Sequence, residues 1–182
     1  MAYNFWRNAP TKTKRILTIA AFFVLSILVI VAGILTPLSD EDVNVLGRQL
    51  DDTGQTIDNL PEMQQVSFIF GNNFMICLVG FVPIIGSPFE CYVLYSTGVV
   101  ISAYSVYKNL QMSPLLLFFL LFLFPFTWLE FLAYSIAMAE SFWLAWRIIQ
   151  RKGKREIRNA CILMSICAVM LLVAAIIEAA LI

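Results

Sequence analysis

Two carboxylates, Glu130 and Glu140, stand inside an otherwise apolar stretch long enough to cross a bilayer. An ionisable side chain at that depth costs about 2.5–3.5 kcal/mol on insertion scales, unless it pairs, faces other helices or lies near an interface. Three roles are open to such a pair: glue between helices, an ion or proton path, and contact with a partner protein. No lysine or arginine lies in the middle of an apolar run, so an internal salt bridge is not expected. A protonated glutamic acid hydrogen-bonded to Asn or Ser is the physical alternative. Nearby polar groups are Asn72, Asn73, Ser96, Thr97, Ser102 and Tyr134.

The spacing around these acids favours packing. With Ala137 at zero on a helical wheel, Glu130 falls at about +20°, Ala133 at about −40°, Ser141 at about +40°, Ala145 at about +80° and Glu140 at about −60°. Ala133, Ala137, Ser141 and Ala145 thus form a small-residue stripe flanked by both acids. Small stripes let helices approach closely in lipid, where hydrophobicity gives no drive to associate. The expectation is that Glu130 and Glu140 face protein. Asn72-Asn73 fits two roles equally: a cap where a helix enters the membrane, or the lining of an internal polar site.

Other chemistry is poorly served. The chain has no histidine, which removes His-Glu metal motifs and Ser-His or Cys-His nucleophile pairs. Cys77, Cys91, Cys161 and Cys167 lack CxxC spacing and sit in or beside apolar runs, so they read as small buried residues. No aspartate lies in a membrane segment, and no phosphate loop or nucleotide fingerprint is present. The sequence therefore predicts no enzyme, no cofactor, no metal site and no nucleic-acid partner.

The elements that must position the two acids are membrane helices. Of 182 residues, 60% are hydrophobic and 13% charged, against about 25% charged in a soluble domain. Mean hydropathy is +0.83, and the excess lies in long runs. Net charge is zero but segregated. Arg7, Lys12, Lys14 and Arg15 precede the first run, and Arg151, Lys152, Lys154, Arg155 and Arg158 precede the last. Residues 37–67 carry seven acids and only Arg48. Short basic flanks stay in the cytoplasm, which places the N-terminus and 150–159 inside and the acidic loop 37–67 outside. The basic segment 150–159 also suits contact with anionic lipid.

Residues 16–36 form the first crossing, about 30 Å long and read as retained rather than as a signal peptide. The loop 37–67 has room for a short helix around 42–51, and it is either a solvated face or a docking surface. Residues 68–149 form an irregular helical core. Gly71, Gly80, Pro83, Gly86, Gly98 and Pro125 are its expected backbone breaks, and Pro125 divides a run too long for one crossing. Trp128, Trp143 and Trp146 are expected interface anchors. Residues 160–182 form the last crossing. The preferred count is five, with 115–124 as a short or re-entrant half-helix. The rival makes 66–85 re-entrant and splits 115–149 into two crossings.

The order of these features carries a resemblance. A basic tail, one helix and an outer loop are followed by Phe70-Gly71-Asn72-Asn73, Gly80, Gly86 and a helix with Gly98, and then Pro125 five residues before Glu130. This resembles the stage II sporulation protein M family of polytopic membrane proteins over nearly the whole chain. The family pattern has an asparagine-led glycine-rich segment, Asn-Gly in the next helix, then Pro-His-Gly-x-x-Glu. Asn73, Gly98, Pro125 and Glu130 match it. Phe126 and Thr127 stand in place of His-Gly, and Thr97 stands where Asn would precede Gly98, so no role of the family histidine carries over. The resemblance implies a non-enzymatic role. In spore formers, members act in a membrane complex that recruits cell-wall remodelling proteins during engulfment, and many relatives occur in organisms that never sporulate.

The sequence thus predicts an all-α polytopic helical membrane protein in a single membrane domain. It is expected to self-associate or to join other membrane protein subunits, as a scaffold or accessory subunit surrounded by membrane lipid. The rival function is a channel or transporter component with a polar path through Glu130, Glu140 and Asn73.

Overall fold

The computed structural model describes residues 11–151 and 153–181. Arg7, Lys152 and Ile182 lie outside the described residues, as do the side chains of Lys154 and Arg155. The described chain is all-helical: α1 (Thr11–Ile34), α2 (Asp40–Asp58), α3 (Glu62–Gly80), α4 (Gly86–Tyr107), α5 (Pro114–Leu121), α6 (Pro125–Ile149) and α7 (Gly153–Ala179). Among the described residues, α1 and residues 156–179 of α7 are each long and apolar enough to cross a membrane, and the bent pair α5–α6 counts as a third candidate span.

α6 is the central element. Every residue from Ala133 to Ser141 is buried, so the expected stripe of Ala133, Ala137 and Ser141 is part of a segment enclosed on all sides. α7, α1, α4 and α3 pack around it. Its start is fixed by sequence: Pro125 sits in the first turn, where its missing N–H costs nothing. Three residues separate it from the end of α5, and the two helices meet at 89°. That bend leaves carbonyls of α5 without helical partners. The Thr127 hydroxyl donates to the Leu121 carbonyl at 2.8 Å, and the Trp128 ring N–H donates to the Phe122 carbonyl at 2.8 Å.

The backbone breaks divide into two groups. Gly80 ends α3, Gly86 opens α4, and Pro83 lies in the turn between them, where Ile84 takes a positive φ of 72°. A methyl group on Gly86 would strike the Gly80 carbonyl, so the close approach in this turn requires glycine at 86. Gly71 and Gly98 were expected to break the chain, but both lie inside continuous helices. Gly98 lets α4 touch the Ile30 carbonyl of α1, and Gly33 of α1 rests in the same way against the Tyr95 carbonyl. Gly71 has open space beside it.

Most of the expected acidic loop is helix. α2 opens with a capping box in which Ser39 and Asp42 satisfy each other's backbone N–H groups, which lets the acid-rich stretch wind. It packs on the end of α4 through Gly47 against Tyr107, and the Lys108 ammonium pairs with Asp51 at 2.7 Å. α3 starts at Glu62, earlier than the expected 66–68. Trp143 is buried rather than interfacial, with Arg15 and Arg147 over its ring, while Trp128 and Trp146 are half exposed.

Candidate functional site

Glu130 and Glu140 lie on the same helix but in different environments. They are separated by about 15 Å along the axis of α6. Glu130, near the start of α6, accepts a hydrogen bond from the Asn73 amide of α3. Asn72 donates in turn to the Asn73 side-chain oxygen at 3.3 Å. The asparagines stand midway along α3, whose N-cap is Pro61, so neither caps it. Asn73 is half-buried against Glu130, while Asn72 is exposed.

Glu140 belongs to the other end of α6. It is fully buried, and its Oε1 lies 3.3 Å from the Arg15 Nε. This corrects the expectation that no internal salt bridge forms. Arg15 sits in the first turns of α1, and its long stem carries the guanidinium back along the helix to reach α6. The contact is an ion pair by proximity rather than a well-aligned hydrogen bond, because the Glu140 oxygens have no hydrogen-bond geometry with any described group. Arg15 also pairs with Glu156 of α7, and the Arg147 Nε lies 3.8 Å from the same carboxylate. The result is a network of two arginines and two glutamates that ties α1, α6 and α7 together.

A further buried acid, Glu90, was missed. Glu90 lies in the first turns of α4 and is 1% exposed. It stands beside Gly86 and Pro88, which made it look like a helix-end residue in the sequence. The available signal was Gly80, since a methyl group there would run into the Glu90 carboxylate. Glu90 and Glu130 line one cavity of about 170 Å³, with Asn72, Asn73, Thr97 and Tyr134. Glu140 does not line it. At the inner wall of the bundle, the thiols of Cys77 and Cys167 both point at the Ala133 carbonyl, at 3.9 and 3.7 Å, as small buried residues. Cys161 is exposed and Cys91 half-buried. The α3–α4 turn is held to α6 by two further bonds, Ser141 Oγ to the Val82 carbonyl at 2.7 Å and Ser87 Oγ to the Met138 carbonyl at 2.9 Å. Among the described residues, no group of three or more His, Cys, Asp and Glu side chains could hold a metal ion.

Fold and site together define an all-helical membrane protein with acids buried among its helices. The family model for stage II sporulation protein M matches residues 19–181, and the chain belongs to that family. No curated protein and no solved structure matches the chain.

Proposed function

We propose that this chain is a non-enzymatic scaffold or accessory subunit that organises partner proteins in a membrane complex. It crosses the cell membrane five times, through α1, α3, α4, α6 and α7, with α5 as a re-entrant half-helix. The N-terminus and 150–159 are cytoplasmic, and 37–67 is outside. The Lys108–Asp51 pair supports this order, because it holds the end of α4 on the same side as α2. In the rival arrangement those two residues would be on opposite sides of the bilayer.

One observation carries the accessory role. α3 and α4 are not apolar enough to count as candidate spans, yet they pack beside helices that are. Their exposed surface includes Asn72 and Thr97. An amide left against lipid is costly, so a helix of this composition is stable when another protein covers it. A second copy or a different membrane subunit supplies that cover. The test is capture of the tagged chain from its native membrane in mild detergent, followed by mass spectrometry. A stoichiometric set of membrane subunits, lost on Asn72→Leu with Thr97→Leu, is expected. A monomer without companions in both forms overturns the reading.

The cavity favours a second reading, a channel or transporter component. Its path would run through Glu130, Asn73 and Glu90, without Glu140. Flux in liposomes that Glu130→Gln abolishes would support it, and absence of flux in the unaltered chain would end it.

A further inference from the structure

A cleft of about 400 Å³ opens between the start of α1 and the end of α6, far along α6 from the Asn73–Glu130 bond. Thr11 and Lys14 line it from α1, and Phe142, Trp146, Arg147 and Gln150 line it from the other side, with the buried Trp143 between them. None of these residues is an acid. Arg147 is held in place. Its guanidinium carbon lies 5.8 Å from the centre of the Trp143 ring, its Nε is 3.8 Å from Glu156, and a terminal nitrogen donates to the exposed Gln150 side chain at 3.3 Å. Glu156 is already the partner of Arg15, which also meets Glu140, so the two arginines and two glutamates balance. Lys14 is half-buried and enters none of the described ion pairs. It leaves the cleft with a net positive charge that no described acid neutralises.

The character of the walls changes with depth. Phe142, Trp146 and Gln150 are spaced by four on one face and span about 12 Å along the axis. Gln150 stands at the polar end, beside the basic segment, whereas Phe142 belongs to the apolar run and is 50% exposed, as is Trp146. Thr11 and Lys14 face the polar part, and the apolar run of α1 begins just beyond them at Ile16. Cations above an indole and a phenyl ring match a molecule with a phosphate at one end and hydrocarbon at the other. Lysine meets phosphate as a point charge, arginine meets it through N–H donors, and indoles settle at headgroup level. The volume falls within the range of about 300–1,000 Å³ usual for small-molecule sites. A zwitterionic headgroup would bring an ammonium into a cleft that has no acid to meet it.

We propose that this cleft binds one anionic phospholipid by its phosphate. Lys14 and Arg147 hold the phosphate oxygens, Thr11 and Gln150 add hydrogen-bonding groups, and Trp146 and Phe142 lie against the glycerol and the first acyl carbons. The lipid then bridges α1 and α6 at the end read above as cytoplasmic. Binding in detergent does not depend on that orientation, so the site and the topology can fail separately.

The test is native mass spectrometry of the full chain in a neutral detergent, titrated with phosphatidylglycerol or phosphatidylcholine. The first phosphatidylglycerol should bind at least about fivefold more tightly than the first phosphatidylcholine, the scale set by one basic side chain on an anionic lipid. Lys14→Gln should remove that preference, and Lys14→Arg should retain it. Lys12→Gln alters an exposed neighbour that lines a different cleft, and should leave the affinity within about twofold. Trp146→Ala keeps both cations and should weaken binding of the lipid. Three results overturn the proposal. Equal binding of the two lipids by the unaltered chain means no anionic site. Equal losses from Lys12→Gln and Lys14→Gln mean diffuse charge attraction instead of a cleft. Displacement of phosphatidylglycerol by low millimolar inorganic phosphate assigns the cleft to a soluble phosphate.

Discussion

At the scale of single residues, the buried polar groups are structural members of unequal weight. The Asn73–Glu130 bond joins α3 to α6. Hydrogen bonds between membrane helices are worth about 0.6–1.7 kcal/mol, so Asn73→Ala should lower stability in detergent by about 1 kcal/mol. Glu130→Gln should cost less than Glu130→Leu, because an amide still accepts from Asn73, and thermal unfolding in detergent checks the order. Equal stability of the two variants would remove the interhelical role. Arg15 carries more. It is the shared cation of Glu140 and Glu156, and losing one partner of a buried pair costs about 3–5 kcal/mol. Arg15→Gln should therefore destabilise strongly, and adding Glu140→Gln should recover part of the loss, read as melting midpoints of the single and double variants. Glu130 and Glu140 were visible in the sequence because acids inside apolar runs are rare. Their partners were not visible to the same degree. Arg15 read as a topology flank, since a sequence gives no measure of how far a long side chain reaches back. Glu90 was hidden by its glycines and proline.

At the scale of elements, glycines decide which helices touch. Gly33 and Gly98 bring the backbones of α1 and α4 into contact. Gly98→Leu forces the helices apart, and overpacking of this kind costs about 1–3 kcal/mol. A lower melting midpoint with unchanged helical content by circular dichroism is the expected result. The sequence singled out Gly98 as a break, because it could not tell a glycine that packs from one that breaks a helix. Only the opposing backbone distinguishes Gly98 from Gly86. α2 adds a different case, an acid-rich helix outside the apolar bundle. Its run of acids looked like a solvated loop with room for a short helix, because nothing local names the surface it packs on. That surface is the end of α4. The Asp51 carboxylate beside Lys108 raises the lysine above its ordinary value of 10.5. A raised folded-state value gives a contribution present below 10.5 and lost as pH climbs through the raised value. Proteolysis of α2 should thus be insensitive to pH across the neutral range and increase in strongly alkaline buffer. Lys108→Ala should remove that alkaline step.

At the scale of the whole molecule, orientation is a matter of which ends share a side. The segregated charges were legible from composition alone, and the two most apolar helices, α1 and α7, are the ones long runs identify most directly. The region between them was not, because α3 and α4 trade hydropathy for amides, glycines and the buried Glu90. The crossings proposed for them rest on contacts rather than on apolar length. The Lys108–Asp51 pair places residue 108 with α2, whereas the Arg15, Arg147 and Glu156 network gathers the start of α1, the end of α6 and the start of α7 at the opposite end. Single cysteines at Asp52, Asn109 and Arg158, in a chain whose four native cysteines are replaced by alanine, test this directly. A membrane-impermeant maleimide applied to intact cells should label Asp52→Cys and Asn109→Cys and leave Arg158→Cys unmodified until the cells are opened. Labelling of Asp52→Cys without Asn109→Cys would mean that α4 ends inside. The five-helix order would then fail, since α3 would have to turn back within the membrane and 115–149 would have to cross twice.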